Sequence, residues 1–260
     1  PASASGKFAR LSLSMLAAFI LLAPPAAVVW NAFLPRVGAG WEFSNIFAQL
    51  GSSEITALTR SAVYGLSAAG IDILLAVLIA LALRRASFFS ALPVELAVML
   101  TVALPGSVIG IALLSAFNAP SPLSFGIPLG GSAAILILAY VIRNLPLAVR
   151  PARAALESVG HDLESAAAGL GATRARVLCR VTLPLMFPSL LAAGLICFIS
   201  GAGEFVASQL LYSPRTRPVS VQIAESFRTD PGAAFAMALC LMLLSITAIL
   251  GASWLQRRAR

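Results

Sequence analysis

Long apolar segments constrain the fold of this chain more than any other feature of its sequence. Six of them, at about 8–33, 59–83, 92–117, 132–149, 185–206 and 233–255, come close to the roughly 20 residues that a membrane-spanning helix needs. The chain is 59% hydrophobic and only 11% charged, whereas soluble domains carry roughly 25% charged residues. The sequence therefore predicts an all-α polytopic membrane bundle of about six transmembrane helices, forming one transmembrane domain over residues 1–260.

Prolines divide some of these segments. Pro24 and Pro25 are expected to kink the first span. Pro105 and Gly106 lie near the middle of the third span, where a simple kink is the favoured interpretation and a full break the alternative.

Basic residues predict the orientation of the bundle. With the N-terminus inside, thirteen of the eighteen lysines and arginines fall on the inner side and five on the outer side. The positive-inside rule then places both termini and the polar interval 157–184 in the cytoplasm. This distribution accounts for the net charge of +8, and no compact basic and aromatic patch indicates nucleic-acid binding.

Several kinds of chemistry are excluded by residue type. Lys7 is the only lysine and is followed by Phe8, so the chain has no P-loop for ATP. His161 is the only histidine, so a Ser/His/Asp triad is not expected, and the three cysteines are too far apart to suggest a metal site or disulfide framework. We therefore expect no catalytic residue, no metal site and no cofactor held by this chain.

Two acidic residues fall within predicted spans. Asp72 lies in the middle of the second span, and Glu204 lies near the end of the fifth, beside Gly203. An acid at membrane depth is costly, and it usually faces the bundle interior or a water-filled path. Both residues, with Gly203, are candidates for a translocation pathway. A structural role remains equally open for each acid, and a proton-coupled secondary transporter or a scaffold without a pathway remain alternative functions.

The interval 157–184 has the pattern of a docking element. A short helix is expected within 161–179, with Asp162 as a possible N-cap and Gly171 at a turn. A second, basic helix is expected over 173–180, and Pro184 should begin the next span. A helix, a turn and a basic return can insert into a groove of a partner, although an ordinary amphipathic loop is the alternative.

This interval resembles the signature of permease subunits of binding-protein-dependent ABC importers, which reads Glu-Ala-Ala, three residues, Gly, nine residues, Ile, any residue, Leu-Pro. Aligned on Gly171, the two alanines fall at Ala166 and Ala167. The end of the motif falls on Val181, Leu183 and Pro184. Ser165 stands where the family has Glu, and Glu164 is one residue, about 100° of helix, away from that position.

The resemblance implies a type I importer permease fold in the bacterial inner membrane. It implies coupling to a separate ATPase dimer, which binds ATP and Mg, through a set of residues in and beside the short helix. These are Leu163, Glu164, Ser165, Ala166, Ala167, Gly169, Leu170, Gly171 and Arg174. It also implies a second permease subunit, of the same or similar sequence, and an extracytoplasmic solute-binding protein. The sequence GAGEFVASQLL at 201–211 is similar to the iron(III), phosphonate and thiamine branch, so the expected substrate is iron(III) or a small phosphonate-like anion.

Overall fold

Every regular element in the described part of the chain is helical. The computed structural model describes residues 4–33, 46, 49–120 and 122–258. The helices are α1 (Ala4–Phe33), α2 (Ser52–Arg85), α3 (Phe88–Ala103), α4 (Gly106–Phe117), α5 (Ala133–Ser158), α6 (His161–Gly169), α7 (Arg174–Val177), α8 (Leu183–Ala202), α9 (Val206–Leu211), α10 (Val219–Thr229) and α11 (Pro231–Arg258). A 3-10 turn (Pro122–Ser124) follows α4, and a π-helical turn (Leu178–Thr182) joins α7 to α8. The predicted all-α class is confirmed.

Five helical segments are long and apolar enough to cross a membrane, and the bent pair α3–α4 makes six if it is one span. Five of the six predicted spans correspond to these helices and the third corresponds to the bent pair, but several of the predicted ends were wrong. The second span begins at Ser52 rather than near Thr59, and the fourth continues to Ser158 rather than ending near Val149. Polar and basic residues that leave the apolar layer are still good helix formers, so hydropathy underestimates helix length.

The third span is broken rather than simply kinked. α3 ends at Ala103 and α4 begins at Gly106, and the two helices are bent by 110°. Pro105 has no N–H to donate, and it disfavours helical geometry in the residue before it. Leu104 is accordingly extended, with φ −80° and ψ 127°. In α1, by contrast, the helix continues through Pro24 and Pro25.

The chain divides into two compact units, residues 1–55 with 222–242, and residues 56–221 with 243–260. In the first unit, the rings of Phe227 and Phe235 pack edge to face at 5.8 Å, and Asp230 accepts a hydrogen bond from the Ala233 amide at 3.3 Å. The single permease domain remains a prediction.

The second unit contains the candidate functional residues, and its core comes from α2, α4, α5 and α9. Tyr140 of α5 is 1% exposed, and its hydroxyl shares a 2.7 Å hydrogen bond with Ser208 of α9. α5 also pairs with α8, because Ser200 donates to Asn144 Oδ1 at 2.7 Å and Asn144 Nδ2 donates to the Cys197 carbonyl at 3.3 Å. Membrane helices use such interhelical hydrogen bonds because lipid offers no alternative partners.

Small residues allow α2 to approach α8 closely. A Cβ on Gly65 would lie 2.9 Å from the Phe198 carbonyl oxygen and 3.1 Å from the Ala202 amide nitrogen. Both atoms belong to the backbone of α8, so neither can move aside without shifting the helix. A Cβ on Gly70 would meet nothing within 4 Å.

We therefore predict that Gly65→Ala destabilises the bundle by about 1–3 kcal/mol, the usual effect of overpacking. The matched change Gly70→Ala, on the same helix, should be neutral or slightly stabilising, because alanine is the better helix former by up to about 1 kcal/mol. Thermal unfolding of both variants in detergent measures the difference. Equal melting temperatures would show that the α2–α8 approach does not limit stability.

Candidate functional site

The predicted docking element is the short helix α6. It begins at His161 with Gly160 as its N-cap, so the prediction of Asp162 as N-cap was wrong. Gly160 has φ −55° and ψ 143°, an extended conformation that glycine tolerates well at this position.

The C-terminus of α6 is closed by Gly171. This residue has φ +83°, in the left-handed region that favours glycine. The Gly171 amide donates to the Ala168 carbonyl at 2.9 Å, and the Ala172 amide donates to the Ala167 carbonyl at 3.1 Å. These two bonds form a Schellman motif. The predicted turn at Gly171 is therefore present, and it reverses the chain directly after α6.

Glu164 ties α6 to two other elements. Its carboxylate accepts two hydrogen bonds from Arg84, at the end of α2, from Nη1 to Oε1 and from Nη2 to Oε2, both at 2.8 Å. Thr182, in the π-helical turn, donates to Glu164 Oε1, also at 2.8 Å. The Arg84 and Glu164 side chains are only 22% and 21% exposed. A bidentate Arg–carboxylate pair fixes direction as well as distance, so α6 is oriented against the end of α2.

The other side of α6 is exposed. Leu163 is 54% exposed, and Leu170, at the tip of the turn, is 90% exposed. The two leucines are seven residues apart, so they lie on the same side of the helical segment. Ala166, Gly169 and Gly171 are also exposed, whereas Ala167 is half-buried. The exposed leucines and small residues together form a small apolar surface, and the small side chains leave the backbone of α6 accessible.

Ser165 is exposed and lines a pocket of about 880 Å³. Arg84, Arg85 and Arg174 line the same pocket, together with Glu164. The residue at the unusual motif position thus borders a basic surface, while the glutamate next to it is already paired with Arg84.

The basic return predicted over 173–180 is shorter as an α-helix. Thr173 caps α7 by accepting from the Arg176 amide at 3.4 Å, and the π-helical turn then follows. Helical structure is continuous from Arg174 to Ala202, so Pro184 does not begin the span as predicted. Val181 lies in the π-helical turn, and Leu183 is the first residue of α8. Pro184 has no N–H to donate to a preceding carbonyl. The π-helical turn, which is wider than an α-helix, lies just before it.

A second group of ion pairs is centred on Arg153. Arg153 of α5 pairs with Glu95 of α3, and its Nη2 lies 3.9 Å from Glu157. The pair connects α3 to α5.

The two predicted pathway acids have different surroundings. Asp72 is 0% exposed within α2, and neither of its carboxyl oxygens has a hydrogen-bond partner among the described residues. Glu204 is 7% exposed and follows Gly203, the C-cap of α8. Its Oε2 lies 2.9 Å from Arg143 Nε, and its Oε1 accepts from the Ala207 amide at 3.1 Å. The structure therefore does not bring the two acids together as one site.

Sequence reasoning missed the role of Arg143. It counted this residue with the inner loops, but Arg143 lies within α5 and pairs with Glu204. Gly106, at the break between α3 and α4, lies directly against it, since a Cβ there would be 2.5 Å from Arg143 Nη1. A basic residue inside the fourth apolar segment and an acid near the end of the fifth were the available indication of an ion pair.

The family of the chain follows from its match to known proteins. Residues 72–260 match the model of the family described as "Binding-protein-dependent transport system inner membrane component". The chain belongs to this family, and it is a multi-pass membrane permease of the ABC-importer class.

Two relatives and one solved structure extend this finding. The chain is 33% identical over 207 residues to the molybdenum transport system permease protein ModB of Mycobacterium bovis, covering 76% of this chain and 78% of that protein. It is 32% identical over 219 residues to ModB of Haemophilus influenzae, covering 79% and 94%. It also shares its fold with a bacterial alginate ABC transporter crystallised with a periplasmic protein, with a TM-score of 0.68, 20% identity and coverage of 97% and 93%.

We predict that Gly171→Ala loosens the end of α6. Alanine at φ +83° costs about 1 kcal/mol, roughly a fivefold change in local opening. Gly169→Ala is the matched control, because its surroundings are equally open and its φ is not in the left-handed region. Hydrogen exchange at the amides of residues 171 and 172 should be faster only in the first variant. The same exchange rate in both variants would show that the Schellman motif is not the constraint.

Proposed function

We propose that this chain forms half of the translocation pathway of an ATP-driven importer and couples to a separate ATPase through the 161–179 segment. The observation that carries the proposal is the form of α6. Arg84 and Thr182 hold one side of α6 through hydrogen bonds to Glu164, and Gly171 ends the helix. Leu163 and Leu170 are exposed on its other side. A rigidly held helix with exposed apolar side chains can transmit a movement of its partner to α2 and α8.

The partners follow from the same proposal. Two ATPase subunits bind ATP and Mg, a second permease subunit of the same or similar sequence completes the pathway, and an extracytoplasmic solute-binding protein delivers the substrate. α6 then lies in the cytoplasm, as do both termini. The supporting observation is the excess of arginines on that side, which remains after Arg143 is moved from the loops into α5.

The proposed substrate is molybdate or a closely similar oxyanion. The support comes from the two ModB relatives, whose names specify molybdenum transport. This replaces the expectation of iron(III) or a phosphonate, which depended on the short stretch 201–211. That stretch contains Glu204, which is engaged with Arg143 and the Ala207 amide, so its sequence has a structural explanation that does not involve iron.

The alternative of a proton-coupled secondary transporter depends on Asp72 and Glu204. Glu204 is held in place by its ion pair with Arg143 and by the hydrogen bond from the Ala207 amide. Asp72 is separate from it and buried in α2. The ATP-driven importer and the proton-coupled transporter differ in whether uptake requires the ATPase.

We predict that the chain, reconstituted in liposomes with its ATPase and solute-binding protein, takes up radiolabelled molybdate only when ATP is present. Excess tungstate, an oxyanion of the same charge and shape, should compete, and iron(III) should not. A proton ionophore should leave the initial uptake rate unchanged. Uptake without ATP that collapses with the proton gradient would instead support the secondary transporter.

A further inference from the structure

A cavity of about 440 Å³ lies at the break between α3 and α4. Residues 101–106 form one side of it, and Arg143, Asn144 and Leu147 of α5, with Ser200 of α8, form another. Three membrane elements of the second unit therefore meet around a space that both polar and apolar residues line. Irregular backbone at membrane depth is tolerated where it lines such a cavity.

Arg143 is the cationic side chain that lines this space. It is 38% exposed, whereas its partner Glu204 is 7% exposed, so the arginine reaches the cavity and the acid lies behind it. The contact to Glu204 uses Nε, at 2.9 Å. A guanidinium carries five N–H donors in a planar fork, and the Nε contact engages one of them. Nη1 lies beside Gly106 at the helix break.

Gly106 allows the guanidinium to reach the break. A Cβ at this position would lie 2.5 Å from Arg143 Nη1 and 3.2 Å from Val206 Cβ. Arginine therefore occupies space that any side chain at residue 106 would take. A side chain at residue 106 would therefore displace the guanidinium from its place beside the break.

The other polar side chains of the lining have hydrogen-bond partners within the protein. Ser200 donates to Asn144 Oδ1 at 2.7 Å, and Thr101 donates to the Val98 carbonyl at 2.8 Å. Asn144 Nδ2 donates to the Cys197 carbonyl at 3.3 Å. These bonds fix the walls, and the guanidinium supplies the charge that distinguishes an anion from a cation.

We propose that Arg143 contacts the oxyanion as it passes the helix break, and that Glu204 is the counter-ion of Arg143 when the site is empty. The inference rests on the proposed oxyanion substrate. An arginine fork suits the oxygens of a tetrahedral dianion. A permanently unpaired cation would hold the dianion too tightly, and passage requires a contact that is weak enough to release it. The Glu204 pair provides that weakening.

The test measures molybdate uptake and ATP hydrolysis side by side in liposomes containing the complete importer. Arg143→Gln should lower the molybdate imported per ATP by about tenfold, as expected for losing one charged hydrogen-bonding group. Hydrolysis stimulated by the binding protein should persist. Arg150→Gln is the matched control, since Arg150 is an exposed arginine of the same helix and its Nη2 contacts Met99 Sδ at 2.9 Å. This control should keep both activities.

The double variant Arg143→Gln with Glu204→Gln separates contact from structure. It removes the unpaired charge that either single change leaves, so the bundle should assemble and hydrolyse ATP. If Arg143 contacts the anion, uptake stays low in the double variant. Uptake restored to the wild-type level would show that only the balance of charge matters, and would overturn the assignment. Normal uptake by Arg143→Gln alone would also overturn it. No molybdate uptake by the wild-type importer would instead overturn the proposed substrate, and this site with it.

Discussion

The bidentate pair between Arg84 and Glu164 is the contact on which the proposed coupling depends. It joins the end of a long membrane helix to α6, and Thr182 connects the same carboxylate to the π-helical turn before α8. Because both side chains are only partly exposed, the pair contributes on the order of 1 kcal/mol, somewhat more than a surface ion pair. Its more important effect is geometric, since the shared carboxylate links a movement of α6 to the end of α2 and to the turn before α8.

This contact also explains the departure from the family motif. A step of one residue turns a helix by about 100°. Glu164 consequently pairs with Arg84 and is partly buried, while Ser165 is exposed. Both residues border the pocket that Arg85 and Arg174 also line. The chain keeps an acidic residue in α6 but uses it to hold the helix in place. We infer that contact with a partner relies on Leu163, Leu170 and the small residues between them rather than on charge at residue 165.

Polar groups in a membrane interior must find partners within the protein, and this requirement governs the helix break. Pro105 interrupts the third span, and the space beside it accommodates Arg143. Glu204, in the connection between α8 and α9, neutralises this arginine. The sequence identified Glu204 as a candidate because an acid at that depth is costly. It could not identify the partner, because the two residues belong to different spans and only packing brings α5 against α8.

What was predictable from the sequence follows from how local each interaction is. Hydropathy is averaged along one helix, so the all-α class and the positions of the apolar segments were predicted correctly. The ends of two helices were not, because residues 52–58 and 150–158 are helical without being strongly apolar. Gly171 was predicted at a turn because a left-handed φ selects glycine locally. The 110° bend at Pro105 was not, because a proline permits either a kink or a break and neighbouring helices decide between them.

Attachment of the ATPase to α6 is tested most directly by placing a charge on its exposed tip. Leu170→Asp should reduce co-purification of the ATPase subunit by about tenfold or more, as expected when a central apolar contact is replaced by a charge. Phe125→Asp is the control, because Phe125 is 94% exposed and lies in the connection between α4 and α5, away from α6 in the chain. Equal retention of the ATPase by the two variants would contradict the assignment of α6 as the coupling helix.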